Sequence, residues 1–510
     1  MSETHPTESR SHRHRKHSPS AGAYYFCDVL TEATLYAMVV LTPWLFGSAE
    51  RWAVWTMNSC AYLLGALLIA KLIMRRFAHL RPYRWDFHQE SRGSKNVVRA
   101  LGWSTIALLL YILIGAVNAR ATFHRGTYEL EYHDHIPWLP HSYDKAASFY
   151  WFWTFLGLAF VFWSLWEWLP GKSIHEVKQE RKQDDPLATL GLKRPIVPER
   201  LKRLLWVISI NGALVALVSI LQLINGSEKL LWTFESKWSR AGQISFGPYP
   251  YRGNAAQYFN LVWPIAFGLW WTTRQALLSQ AKRTLKLRDG PHTVLLPAFV
   301  LVAAAPIISL STGGAFIAVL LFGILVAALS FQKQVGPRIK AVLLLSFAAT
   351  LAIGLYVAGP NLMNRFDSLE IAALGGRSEI RENAQKIVDD FPLYGTGAGS
   401  FSAMYSLYRA SYDQPWHGYL HNDWLQTRVS LGWVGFALCL VPLGLILARW
   451  WVPGGLIARV DMLGPIWIAL AGCMIHATFD FPFQIYSLLF LFTVYSAILF
   501  SLSRRMPEQS

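Results

Sequence analysis

Long apolar runs separated by short, mostly basic connections set the pattern of this chain. Stretches such as 100–117, 299–326 and 486–502 stay apolar for many residues at a time. Because about 20 helical residues cross a hydrocarbon core, runs of this length predict membrane spans rather than buried soluble helices. The pattern predicts an all-α, polytopic integral membrane protein with about twelve spans. They fall at 27–47, 53–73, 100–118, 147–168, 203–223, 255–273, 293–310, 313–330, 341–358, 430–448, 462–478 and 484–502. Residues 1–23 are polar and include Arg13-His14-Arg15-Lys16-His17. They predict a disordered cytoplasmic tail, and without a small-residue cleavage site the first span reads as a signal anchor.

Composition sharpens this picture. Of 510 residues, 53% are hydrophobic and only 15% charged, well under the roughly 25% charged of soluble domains. A soluble enzyme and a secreted disulfide scaffold are therefore excluded. The formal charge of +16 gathers in no groove-sized patch, so no nucleic-acid partner is expected. It follows topology instead: with the N-terminus inside, 33 of the 47 Lys and Arg fall on inner segments and 14 outside, as the positive-inside rule requires. The lipid bilayer is the expected surrounding, and both termini are expected in the cytoplasm. Cys27, Cys60, Cys439 and Cys473 show no disulfide or zinc spacing and read as small core residues.

Three longer loops fall outside, at 119–146, 224–254 and 359–429. The last is too long for a passive connection and carries helical patterns and turns, so it is expected to be partly helical. Gly375-Gly376 open a helix that Pro392 closes. On its wheel Ile380, Ala384, Ile387 and Val388 share one face, with Arg377 on that face and Arg381 beside it. A guanidinium on an apolar face requires an anionic partner, either a carboxylate of the protein, a lipid headgroup or a bound anionic substrate. Arginine suits phosphate because its planar fork donates two parallel hydrogen bonds. Gly395-Thr396-Gly397-Ala398-Gly399 has the spacing of a phosphate cradle, but no strand precedes it. A turn between two helices competes with a backbone nest. In Trp416-His417-Gly418-Tyr419-Leu420-His421-Asn422-Asp423, two histidines four apart could hold zinc, yet the Glu of H-E-x-x-H is missing. His421 beside Asn422, just above a span, suits a general base, since imidazole titrates near neutral pH. No metal and no cofactor are expected.

These residues carry a resemblance. The order "GGR-(helix)-FPLYGTGAGSF-…-LHNDWLQ…LGWVGF", in a long external loop before the last spans, resembles the O-antigen ligase / Wzy-type O-antigen polymerase family. His476-Ala477-Thr478-Phe479-Asp480-Phe481-Pro482-Phe483-Gln484 is similar to the H-x-x-x-D-F-P-x-Q segment of polysaccharide-polymerizing members. Phe246–Asn254 is similar to a family loop with Arg-Asn before the next span. The resemblance covers roughly residues 240–500. It implies a GT-C-like membrane glycosyltransferase region over 224–510, with 359–429 as its periplasmic catalytic loop, following N-terminal helices over 24–223. It implies metal-independent, inverting transfer from an undecaprenyl-diphosphate-linked oligosaccharide donor to a glycan or lipid-linked acceptor, at the periplasmic face of a bacterial inner membrane. Carried over by position, Arg377 would hold the diphosphate and His421 would activate the acceptor hydroxyl. Arg381, Arg252 and Asn422 are the further substrate-binding candidates. The family's Ser-Arg-Gly at the mouth of a middle helix reads Ser311-Thr312-Gly313-Gly314 here, so Arg252 or Arg381 would have to supply the second charge.

Two other classes compete. A transporter of a small anion such as bicarbonate would place ionisable groups or broken helices at mid-membrane. The spans show little charge, with Glu32 near one end of the first and Asp480 near an end of a late one. An accessory subunit of an export complex would need no inward-facing Arg and His. In loop 119–146, His124, His133, His135 and His141 with Asp134 and Asp144 match no standard metal-ligand spacing and read as a polar lid.

Overall fold

The structure, a computed structural model, describes residues 19–80, 91–173, 198–227, 229–235, 245–281, 290–330, 378–409, 418–452 and 462–503, with a few isolated positions between them. It is almost wholly helical. In chain order the helices are α1 (Pro19–Trp44), α2 (Arg51–Phe77), α3 (Arg92–Val117), α4 (Lys145–Trp168), α5 (Glu199–Ile224), α6 (Arg252–Ala281), α7 (His292–Ile308), α8 (Thr312–Ser330), α9 (378–390), α10 (Phe401–Tyr408), α11 (Asp423–Ala448), α12 (Leu463–His476) and α13 (Tyr486–Leu502). Between α3 and α4 stands an antiparallel hairpin of β1 (Ala121–His124) and β2 (Glu129–Tyr132).

Among the described residues, seven helices are long and apolar enough to cross a membrane: α1 to α5, α8 and α11. Helices α7, α12 and α13 are apolar and shorter. The expected polytopic all-α architecture is therefore present. The span expected at 341–358 lies largely outside the described residues. One boundary is corrected: residues 19–23, expected in the tail, are the first turn of α1. Pro19 suits a first helical turn because the N–H it lacks has no helical partner there.

Helix α6 is buried without interruption from Gly253 to Thr273 and contacts α5, α7, α8, α12 and α13. That central position explains its lower hydropathy. It carries polar groups whose partners are other helices, as where Asn260 Nδ2 donates to the Gly314 carbonyl at 2.9 Å. Inside a bilayer such groups persist only with a partner in the protein.

At the face opposite the long loops, the N-terminal helices share a buried ionic cluster that hydropathy alone did not reveal. Asp28 of α1 meets Lys71 of α2 at 3.4 Å and Arg200 of α5 at 2.5 Å. Glu167 of α4 meets Arg75 and Arg84 at 2.5 and 3.0 Å. Lys71 is fully buried. Thus some of the basic residues that the positive-inside pattern assigns to flanking loops instead tie four helices together.

On the loop face, α11 is broken. Gly432 sits at φ 60°, ψ −169°, so the backbone groups around it lose their helical partners. The glycine-rich segment supplies replacements. Thr396 N and Gly397 N donate to the carbonyls of Val429 and Ser430 at 2.9 and 2.8 Å, and Trp433 N and Val434 N donate to Pro392 and Leu393 carbonyls at 2.8 and 3.1 Å. The Tyr111 hydroxyl reaches the Leu431 carbonyl at 2.6 Å. Such repair is what lets irregular backbone exist at membrane depth. Gly395 lies so close that a Cβ there would come within 2.5 Å of Gly432 N, at a φ of +67°.

We predict that Gly395→Ala lowers the thermal stability of the detergent-solubilised protein. The left-handed backbone alone would cost about 1–3 kcal/mol, before the clash with α11. A melting temperature equal to wild type would show that this seam is not tight.

A candidate active site where two loops interlock

The loop-face segments form one small folded unit. Helix α9 buries Ile380, Asn383, Ala384, Ile387 and Val388, which pack with Phe401, Met404 and Tyr405 of α10, Leu420, and Ala121 and Tyr143 from the other loop. Loop 119–146 is thus stitched to loop 378–429. Tyr143 N donates to the Thr396 carbonyl at 2.9 Å, and Ser148 Oγ to the Ala398 carbonyl at 2.9 Å. Its polar residues have partners of their own: Asp144 caps α4, and His124 and His133 bond Glu131 and Thr122. The glycine-rich segment is a structural joint here. Its peptide N–H groups at 396 and 397 are spent on α11.

Beneath this unit, the stretch leading into α11 locks onto the turn after α12. Asp423 is fully buried. Its carboxylate accepts from Phe483 N at 2.7 Å and from Gln484 Nε2 at 2.9 Å, while Asp423 N donates to the Ala477 carbonyl at 2.9 Å. Asn422 caps α11, its Oδ1 accepting from Leu425 N at 3.0 Å. Gln426 Oε1 accepts from Leu420 N at 2.9 Å. The residue between these anchors, His421, is forced to a left-handed φ of +55°, uncommon for a side chain with a Cβ.

That backbone aims His421 Nδ1 at Asp480 Oδ1, 3.1 Å away. The imidazole keeps 22% of its side-chain surface exposed while the carboxylate keeps 9%, so the ring can be reached and its partner cannot. The other carboxylate oxygen lies 3.5 Å from Nε2 of buried His476 and 3.4 Å from the Tyr251 hydroxyl. Burial alone would raise the Asp480 pKa. The hydrogen bonds and charges of His421 and His476 prevail and hold it well below the usual carboxylate range. Aromatic rings wall the site: Phe481 stacks with Tyr251 and Tyr419 at 5.4 and 4.7 Å, and His421 meets Phe481 edge-on at 4.8 Å.

Arg252 opens α6 next to Tyr251. It is half-buried, and its Nη1 is buried with no hydrogen-bond partner among the described residues. A Cβ on neighbouring Gly253 would stand 2.8 Å from Asp480 Oδ2, which measures how closely α6 approaches the carboxylate. The Ser311–Gly314 turn starts α8 beside the same cluster. Ser311 Oγ accepts from Gly314 N at 3.2 Å, and a Cβ on Gly313 would face His476 Nε2 at 3.6 Å.

The structure therefore brings His421, Asn422 and Arg252 toward one region, with Asn422 occupied as a helix cap. Arg381 departs from its expected place: it is exposed, because the buried stripe of α9 runs through Asn383 rather than towards position 381. Arg377 and His417 lie outside the described residues. Sequence reading passed over Asp480, His476, Gln257, Tyr251 and Asp423 as site residues. The i,i+4 pair His476–Asp480 was the available signal for two of them.

An apolar cavity of about 280 Å³ runs between α3, α4, α11 and α13. Gln426 and Gln484, which hold the His421 stretch in place, line one part of it, and Leu443, Ile446, Leu489 and Phe492 line another.

Fold and site together define a multi-pass membrane protein with its polar chemistry gathered at one membrane face. Residues 297–440 match the family model described as O-Antigen ligase, which supports the O-antigen ligase / Wzy-type resemblance that the loop motifs carry. The match supports, in general terms, a membrane glycosyltransferase of the O-antigen ligase/polymerase type. The matched segment includes His421, whereas Arg252, His476 and Asp480 lie outside it. No curated protein matches the chain.

Asp423→Ala should unfasten the interlock. It leaves the Phe483 N–H and the Gln484 amide without their acceptor, at about 1–3 kcal/mol for each buried donor. The expected readout is a lower melting temperature in detergent; an unchanged one would mean that the two loops are held elsewhere.

Proposed function

We propose that the protein transfers a glycan from an undecaprenyl-diphosphate-linked donor to an acceptor hydroxyl at the periplasmic face of a bacterial inner membrane, with both termini in the cytoplasm. The observation that carries this reading is the accessible His421 ring, fixed through Nδ1 to a buried carboxylate. In the reaction, Nε2 of His421 takes the proton of the acceptor hydroxyl. The acceptor oxygen attacks the anomeric carbon from the face opposite the diphosphate, the glycosidic C–O bond breaks, and its electron pair leaves on the diphosphate. One displacement inverts the anomeric centre. Asp480 stabilises the imidazolium that forms, as a buried acid does for a catalytic histidine.

The leaving group carries the developing charge, so cations beside it favour the transition state. Arg377 and Arg252 are the proposed donors. The buried, unpartnered Nη1 of Arg252 supports its standing in for the arginine that Thr312 replaces. Exposed Arg381 is better suited to guiding an anionic donor than to clamping it. This assignment asks for no metal and no cofactor. The cavity among α3, α4, α11 and α13 suits the donor's polyprenyl tail, since its walls are mainly apolar. The F-P-x-Q turn and the Ser-Thr-Gly-Gly segment favour polymerization of repeat units over ligation to a lipid core. The buried charges of α1, α2, α4 and α5 lend the transporter reading little support, because they pair with one another.

His421→Ala should reach the membrane in normal amount and lose transfer by about 10²–10⁴-fold; wild-type glycan length in that strain would remove the base. Arg377→Lys should also fail, since an ammonium does not replace a two-pronged donor. Deleting the gene and sizing lipid-linked intermediates separates the two chemistries: single repeats accumulate if a polymerase is lost, and long lipid-linked chains if a ligase is lost.

A further inference from the structure

The carboxylate that orients His421 is not devoted to it. Asp480 sits between two imidazoles, one reachable and one sealed. His476 is 1% exposed, ends α12, and points Nε2 at Asp480 Oδ2 across 3.5 Å. Its other nitrogen, Nδ1, lies 2.5 Å from Gln257 Oε1. A carbonyl oxygen only accepts, so Gln257 fixes a proton on Nδ1. The ring can then offer Nε2–H to Asp480 only as the imidazolium. A general base at 421 gains from an undiluted carboxylate when its product cation forms, yet here that carboxylate also faces a second, buried imidazole.

We infer that His476 is a positioning residue which, through Asp480 and under the control of Gln257, sets the pH at which His421 works as a base. This rests on the reading of His421 as the general base. A cationic His476 offsets part of the Asp480 charge, so the His421 imidazolium is stabilised less and its ring stays neutral, and competent, to lower pH. Among the described residues, the charged and titratable groups ranged around the pair include Tyr251 and Arg252 at the head of α6, Tyr419 stacked on Phe481, Asp423 at the head of α11, and Cys473 one turn back on α12. At the start of α8, Gly313 faces His476. Phe479 covers the His476 ring at 5.0 Å, which keeps the inner imidazole from exchanging with solvent.

The sign of the effect follows. Removing the inner imidazole frees Asp480 to hold a proton on His421, so the acid limb of the rate profile moves to higher pH. The test uses the full-length protein reconstituted in vesicles with a synthetic polyprenyl-diphosphate disaccharide donor, its turnover followed from pH 5 to 9. In His476→Gln we expect the acid limb to rise by roughly one pH unit, with the donor KM unchanged. Gln257→Leu leaves the imidazole but releases its Nδ1 proton, allowing the neutral Nε2–H form. It should move the limb the same way by less, and it carries the test if His476→Gln does not fold. Wild-type acid limbs in the folded variants would overturn the inference. The companion His421→Ala separates the two readings: full transfer in it overturns the base and this coupling together, whereas an inactive His421→Ala with unmoved limbs overturns the coupling alone.

Discussion

A bilayer leaves no backbone group unpaired, and this chain nevertheless breaks a membrane helix. Everything on the loop face depends on how the break at Gly432 is repaired. Its freed carbonyls and amides are claimed by Pro392, Leu393, Thr396, Gly397 and Tyr111, so the loop unit is bonded into the helical layer rather than tethered above it. A loop held only by its ends would explore many positions, whereas this one is registered against α11 and α3. Since α11 begins at Asp423, two residues after His421, the registration of the glycine-rich joint is transmitted to His421. Positional precision at a reacting group is worth several kcal/mol when it replaces diffusive search.

The second layer of organisation is electrostatic. Three segments far apart in sequence, around 251, 421 and 480, meet at one carboxylate that solvent barely reaches. In such a place a charge is tolerable only when several donors face it, and each donor gains in strength from the same low polarizability. The depressed Asp480 pKa reflects that concentration of donors. Neighbouring Asp423 accepts from a peptide N–H and an amide and, among the described residues, forms no ion pair. One buried acid thus holds the loops together and the other orients His421, separated by the identity of their donors.

How much of this was legible in the sequence follows from the range of each force. The bilayer acts on every residue of a span, so hydropathy placed the helices closely, down to α12 and α13, which are shorter than a full crossing. His421 was legible because its motif is local. Arg381 was misplaced because a helical wheel gives angles but not the direction of the core: α9 buries Asn383 with its aliphatic stripe and turns position 381 outward. The pairing of loop 119–146 with loop 378–429 left no trace in the pattern, since contacts such as Ser148 with Ala398 join backbone to small polar side chains. The glycines of the G-x-G-x-G segment were ambiguous for a related reason. Close approach to another backbone and close approach to a phosphate demand the same missing Cβ.

Charge in the membrane layer follows one rule with two outcomes. At the face away from the loops, Asp28, Lys71, Glu167 and Arg200 sit among carboxylates and cations that neutralise one another. Arg449, fully buried, rests on Ser94 and the Phe500 carbonyl. These groups find opposite charges or carbonyl and hydroxyl acceptors within the protein, and the contacts join helices. At the loop face Arg252 has a buried nitrogen and, among the described residues, nothing to donate it to. A guanidinium left so is costly unless something outside the chain completes it. That unpaired nitrogen, at the head of α6 beside Tyr251, is why Arg252 is an arginine proposed to meet the diphosphate leaving group.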